Sequence, residues 1–151
     1  MSSLQKHSIP SFKLHSGKVI PLTLSYQVFG KALHEAPVVL VNHSLTGNSN
    51  VSGEDGWWSD IIGPKKLIDT EVYSVIAFNF PGNGTEDDFL TSYKDWILRD
   101  VSEIFKMALN EFGVSELFAA IGGSIGGALA WEMAVSHPNF IRNVIPIACY
   151  W

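Results

Sequence analysis

Ala119-Ala120-Ile121-Gly122-Gly123-Ser124-Ile125-Gly126-Gly127-Ala128 is the stretch that decides the reading of this chain. An apolar run rich in strand formers ends in Gly-x-Ser-x-Gly and passes at once into a helical pattern. That is the setting of a serine on a sharp strand-to-helix turn, with its hydroxyl clear of the backbone. Gly122 and Gly126 suit the flanking positions, because larger side chains collide across so tight a bend. The N-terminus of the following helix lies beneath the serine. Its unpaired N–H groups favour a developing negative charge. Ser124 is therefore the candidate nucleophile, against the alternative of a glycine-rich turn with an exposed serine.

Outward from the turn, the chain reads as strands and helices in alternation. Residues 9–15 and 18–29 look like a strand pair around Ser16-Gly17. Continuous apolar runs of buried-strand type follow at 37–42, 71–79, 117–122 and 141–148. The intervals predict helices. A short one is expected over 57–68, where Gly63-Pro64 must break or kink it. The strongest spans 91–112, where Ile97, Val101, Ile104, Phe105, Ala108 and Phe112 recur at spacings of three and four. Ser92 with Asp95 resembles a capping pair there, and Gly113 suits the stop. The last spans 125–136 and closes at His137-Pro138. This alternation predicts an α/β fold, a mostly parallel sheet with helices on both faces. Functional loops in such sheets sit at the carboxyl ends of the strands. Three of them, 43–56, 80–88 and the Ser124 turn, are expected to meet at one crevice.

Bulk properties narrow the classes. The chain has 151 residues, 46% hydrophobic and 17% charged, with a net charge of -5. This suits one globular domain spanning 1–151. No basic cluster supports nucleic-acid binding, no apolar run is long enough for a membrane span, and residues 1–7 lack a secretory signal's apolar core. Cytoplasm is the default expectation. Cys149 is the single cysteine and is expected as a small core residue. Trp131 is expected to pack on the sheet, and Trp57-Trp58 to anchor the core rather than stack on a ligand. No His/Cys/Asp/Glu group has metal-ligand spacing, and no cofactor-binding residue is identified.

A serine nucleophile needs a base, and its tetrahedral intermediate needs oxyanion donors. One donor is expected to be the Ile125 backbone N–H. The other is expected from the loop that opens His43-Ser44-Leu45-Thr46-Gly47, unless that is an ordinary loop. His43 is read as orienting this loop by a hydrogen bond. His137 is read as a cap at the far end of its helix, and the other histidines carry no signal.

Taken together, Asn42-His43-Ser44-Leu45-Thr46-Gly47, Gly56-Trp57-Trp58, Ile62-Gly63-Pro64, Asp69-Thr70, the Ser124 turn and Trp131-Glu132-Met133-Ala134 resemble the homoserine O-acetyltransferase family of the α/β-hydrolase superfamily. The resemblance runs from about Val38 onward. It implies Ser124 as the acyl-carrying nucleophile, with the Leu45 and Ile125 backbone amides as oxyanion hole. It implies acetyl-CoA as co-substrate with no bound cofactor, L-homoserine as acceptor and a step in methionine biosynthesis. A homodimer is one arrangement open to the full-length enzyme. Two positions depart from the family. Asn79-Phe80-Pro81-Gly82-Asn83-Gly84-Thr85 is shorter than the usual loop and lacks its Cys-x-Gly-Ser-Thr part, and Ile125 stands where methionine is usual. No acid–histidine pair follows Ser124 as the superfamily order requires. The reading is thus the N-terminal part of such an enzyme, cut before the cap and last strands and inactive by itself. A superfamily esterase or thioesterase with water as acceptor is the alternative, and a non-catalytic domain is a third.

Overall fold

The computed structural model describes residues 2–85, 90 and 92–150. Two long strands, β1 (Gln5–Lys13) and β2 (Val19–Gly30), form an antiparallel pair. β3 (Val38–Asn42) follows, then two-residue strands β4 (Ile62–Gly63) and β5 (Ile68–Asp69), then β6 (Ser74–Phe78). Helix α1 (Leu98–Glu111), β7 (Leu117–Gly123), helix α2 (Ile125–Ser136) and β8 (Ile141–Ile147) complete the chain. The main sheet has the order β1-β2-β6-β3-β7-β8, and β4 pairs with β5 apart from it. β6, β3, β7 and β8 run parallel to their neighbours, and β2 meets β6 antiparallel. This is the mixed, mostly parallel α/β sheet that the alternation predicts.

The continuous apolar runs become the central strands because they are buried on both faces. Every residue of β3 and β6 is buried, and successive side chains enter opposite layers. Leu40, Ile76, Phe78 and Ala120 face Ile104, Phe105, Leu109, Leu129 and Met133 of the two helices. Val39, Val41, Val75, Ala77 and Ile121 face Val51 and Ile62, with Trp58, Ile61 and Ile68 packed against them. The expectation of helices on both faces is corrected: among the described residues both α-helices cover one face, and the segment running from Val51 to Ile68 covers the other.

The helix expected over 57–68 does not form. Ile62 N–H reaches the Trp58 carbonyl in a single turn, and Gly63-Pro64 then stops propagation. The helix expected over 91–112 starts later. Tyr93–Asp95 is a 3-10 turn, Trp96 is extended, and α1 begins at Leu98. Ser92 makes no side-chain cap. Asp100 caps instead: its carboxylate accepts from Ile97 N at 3.0 Å and from His15 N at 2.8 Å. One buried side chain thereby joins the start of α1 to the turn between β1 and β2. Thr91 lies outside the described residues. The C-terminal stop is as expected. Gly113 sits at φ 76°, Gly113 N–H reaches Asn110 O, and Val114 N–H reaches Leu109 O, the paired bonds of a Schellman motif.

α2 spans the expected residues. Its packing side is Leu129, Ala130 and Met133, whereas Trp131 is 40% exposed. The expectation that Trp131 packs on the sheet is therefore corrected: it stands on the outer side of the helix. No helix is long and apolar enough to cross a membrane among the described residues.

Candidate active site

The Ser124 turn has the strained form that its glycines foretell. Ser124 adopts φ 56° and ψ -125° between the end of β7 and the first residue of α2. A β-carbon at Gly122 would stand 2.4 Å from the Gly126 carbonyl, and one at Gly126 would stand 2.4 Å from the Asn42 carbonyl. β7 and the start of α2 therefore approach β3 more closely than any side chain allows. Ser124 N–H donates to Ile147 O at 2.9 Å, while its carbonyl accepts from Gly127 and Ala128. Both backbone sides of the residue are anchored, so the side chain projects from the turn, and Ser124 is exposed. It borders a shallow cleft of about 210 Å³ with Ile125, Ala128, Ala148, Cys149 and Tyr150.

The backbone N–H groups of Ile125 and Leu45, the two expected oxyanion donors, have no acceptor among the described residues. Ile125 is the first residue of α2, where the helix offers no partner to an N–H. Leu45 lies on the loop after β3 and is 70% exposed.

The three loops expected to converge do so through a buried polar network. Ser49 N–H donates to Asn79 Oδ1 and Ser49 Oγ to Gln27 Oε1, both at 2.8 Å. Asn79 Nδ2 donates to Ser25 Oγ at 2.8 Å, and Asn83 Nδ2 to the Gly47 carbonyl at 3.3 Å. Phe80 N–H donates to His43 Nε2 at 3.0 Å. The loops after β3 and β6 are in this way tied to each other, and Asn42 Nδ2 reaches Gly126 O at 3.3 Å to tie in the Ser124 turn. Glu86, Asp87 and Asp88, the end of the expected second loop, lie outside the described residues.

His43 is fully buried. Its Nε2 receives an amide N–H and so carries no proton. The neutral ring therefore holds its proton on Nδ1, which donates to the Ser44 carbonyl at 2.6 Å. Burial pushes the imidazole below its ordinary value, and the bond to Ser44 opposes this. The orienting role expected of His43 is what this geometry shows. His137 closes α2 in position as expected, but its ring is not a surface cap: it turns to α1, with Nε2 at 3.2 Å from Ser102 Oγ. The 12 residues of α2 rise about 18 Å, which sets His137 far from Ser124. Glu132 pairs with Arg99 at 2.9 Å across the two helices. Neither residue contacts the Ser124 turn.

The Trp57 and Trp58 rings lie 4.7 Å apart, tilted by 32°. Trp58 supports the second core, whereas Trp57 is 40% exposed and donates to the Asn48 carbonyl at 2.9 Å. Cys149 is half-buried rather than a core residue. It follows β8, and its sulfur lies 2.8 Å from where a Gly127 β-carbon would be. Ala148 and Tyr150, which sequence reading passed over, line the cleft together with Cys149, which it placed in the core. Only the tertiary pairing of β7 with β8 brings them there.

A family model described as alpha/beta hydrolase fold matches residues 37–148. A homoserine O-acetyltransferase of Haloarcula marismortui is 33% identical over 163 aligned positions, covering 93% of this chain and 40% of that protein. The solved homoserine O-acetyltransferase from Bacillus anthracis superposes with a TM-score of 0.84 at 25% identity, covering 93% of this chain and 45% of that one. Esterase E22 superposes with a TM-score of 0.84 at 27% identity, covering 95% and 46%. The chain thus spans under half the length of these relatives. The matched span holds β3, the Ser124 turn and both helices, so the chain belongs to the alpha/beta hydrolase fold family and is similar within it to homoserine O-acetyltransferases.

Proposed function

We propose that this chain carries the nucleophile and oxyanion part of an acyl-transfer site, moving an acetyl group from acetyl-CoA to the hydroxyl of L-homoserine. The observation that supports this most is the exposed Ser124, held at φ 56° at the N-terminus of α2. Ser124 Oγ attacks the thioester carbonyl, and the Leu45 and Ile125 amides receive the negative charge on its oxygen. The C–S bond breaks, and CoA leaves as the thiol with the proton taken from Ser124. The homoserine hydroxyl then attacks the acyl-serine, its proton passes to Ser124, and O-acetyl-L-homoserine leaves. The donor, the acceptor and the methionine route rest on the similarity to homoserine O-acetyltransferases.

The proton needs a base. His43 is committed at both ring nitrogens and His137 sits at the far end of α2, so neither serves in this arrangement. Low turnover of residues 1–151 alone is the expected result. Turnover at the level of a full-length relative would overturn the exclusion of these two histidines.

Transfer to water is the second reading, favoured by the equal superposition on esterase E22. Comparing hydrolysis of a simple acetyl ester with acetyl-CoA-dependent acetylation of homoserine separates the two. For either reading, mass spectrometry of a full-length enzyme carrying these residues, after mixing with acetyl-CoA or an activated acetyl ester, should show an acetyl adduct on Ser124. Its persistence in Ser124→Ala would sink the assignment.

A further inference from the structure

The geometry points to His43 as the positioning residue for one oxyanion donor: its ring sets the orientation of the peptide group that carries the Leu45 N–H. This rests on the function proposed above. The Ser44 carbonyl and the Leu45 N–H belong to one peptide unit. In a trans peptide these two bonds point in opposite directions. His43 Nδ1 binds that carbonyl at 2.6 Å from a fully buried ring, so the N–H is turned away from the protein interior. Leu45 is 70% exposed, and its N–H has no acceptor among the described residues.

The ring itself is held rigidly. Phe80 N–H fixes the opposite nitrogen at 3.0 Å, and the Phe80 ring lies 4.4 Å from the imidazole. Gly47 crowds the other side, where a β-carbon would stand 2.9 Å from His43 Cβ. Gly47 N–H also donates to the Ser44 carbonyl at 2.9 Å, so the carbonyl has two donors converging on it. His43 thus works as a coupling piece. The loop after β6 holds the ring, the ring holds the Ser44 carbonyl, and the carbonyl aims the Leu45 N–H. It touches neither substrate nor reacting atoms and moves no proton.

Two substitutions split the ring's two bonds. His43→Asn keeps a donor near the Nδ1 position and loses the acceptor for Phe80. His43→Gln keeps an acceptor near the Nε2 position and loses the donor to Ser44. Nitrogen-15 NMR on the whole chain reads the Leu45 N–H orientation and order directly, and reads the tautomer of His43 in the unaltered protein. In a full-length enzyme carrying these residues together with a base, a fluorophosphonate probe reads the rate at which Ser124 forms an adduct. We expect the proton on Nδ1, an ordered Leu45 N–H in the unaltered protein and in His43→Asn, and a disordered one in His43→Gln. Labelling should fall about 10-fold in His43→Gln, less than the roughly 100- to 1000-fold that outright loss of an oxyanion donor costs, and within about twofold of normal in His43→Asn. A proton on Nε2 in the unaltered protein overturns the proposal without any variant. So does a Leu45 N–H equally ordered in both variants, or a labelling rate that follows thermal stability alone. If unaltered Ser124 takes no label while the NMR results hold, the acyl-transfer reading fails and the peptide orientation stands.

Discussion

At Ser124 the backbone angle of φ 56° with ψ -125° crowds the β-carbon of an L-residue, and such positions store about 1–3 kcal/mol. The surrounding anchors hold it there: the Ile147 carbonyl on its N–H, and Gly122 and Gly126 packed against each other and against Asn42. Replacing the side chain therefore separates strain from chemistry. Ser124→Gly should stabilise the fold by about 1 kcal/mol net, raising the thermal midpoint by about 2–4 °C for a domain of this size. Ser124→Ala keeps its β-carbon and should leave the midpoint nearly unchanged. Scanning calorimetry on the two variants checks this. A midpoint that falls in Ser124→Gly would show that the turn is relaxed.

Among the elements, α1 shows how one carboxylate can place a helix. Asp100 is 4% exposed and accepts from Ile97 N, before the first turn, and from His15 N, 85 positions away in sequence. Removing it takes the acceptor from two part-buried N–H groups, a loss of about 1–1.5 kcal/mol each. Asp100→Ala should cost about 2–3 kcal/mol by urea unfolding and loosen the β1–β2 turn. Asp100→Asn keeps one acceptor and should cost about half as much. Equal losses in the two variants would assign the effect to charge rather than to accepted bonds. The Ser92–Asp95 pattern misleads here because a capping motif in sequence needs only the right letters, whereas a working cap needs a helix that starts behind it. Trp96 is extended, so the chain turns at Tyr93–Asp95 and only afterwards enters α1.

For the whole molecule, two features bear on solution behaviour. His43 and His137 both have imidazoles held below their ordinary value by burial, with Ser44 and Glu103 respectively pulling the other way. A depressed folded-state value means that the unfolded chain binds more protons below about pH 6.5. Stability from these two groups is therefore complete above that pH and is lost as pH falls through and below it. The urea midpoint should drop between pH 7.5 and 5.5, and the drop should be smaller in His43→Asn. An unchanged slope in that variant would remove His43 as a contributor. The second feature is the edge of the main sheet. Among the described residues β8 pairs only with β7, and Ile145 and Ile147 are 43% and 41% exposed along it. Open apolar edges recruit further strands. The 151-residue chain should associate with itself as concentration rises, and Ile145→Lys should reduce this in sedimentation velocity runs. A monomer at all concentrations would refute it.

What local residue order can dictate was legible without coordinates. The apolar runs 37–42 and 117–122 became central strands because alternate side chains are buried on two sides, and 141–148 gave the edge strand β8 (Ile141–Ile147), which is half-open to solvent. The Gly-x-Ser-x-Gly turn appeared where glycines are the only residues that tolerate the approach of β7 and α2 to β3. The end of α1 was legible too, since Gly113 closes it by local bonds. Long-range packing decided the rest. Residues 57–68 have helical letters, but one turn forms before Gly63-Pro64, and the segment is kept in place by the sheet face it covers. Trp131 turned outward because Leu129, Ala130 and Met133 occupy the side of α2 that faces the core. The proton on His43 Nδ1 follows from Phe80, 37 positions away, and the cleft wall at Ala148–Tyr150 follows from the register of β8 on β7. A residue's partners are set by the pairing of distant strands, and no window along the chain contains that information.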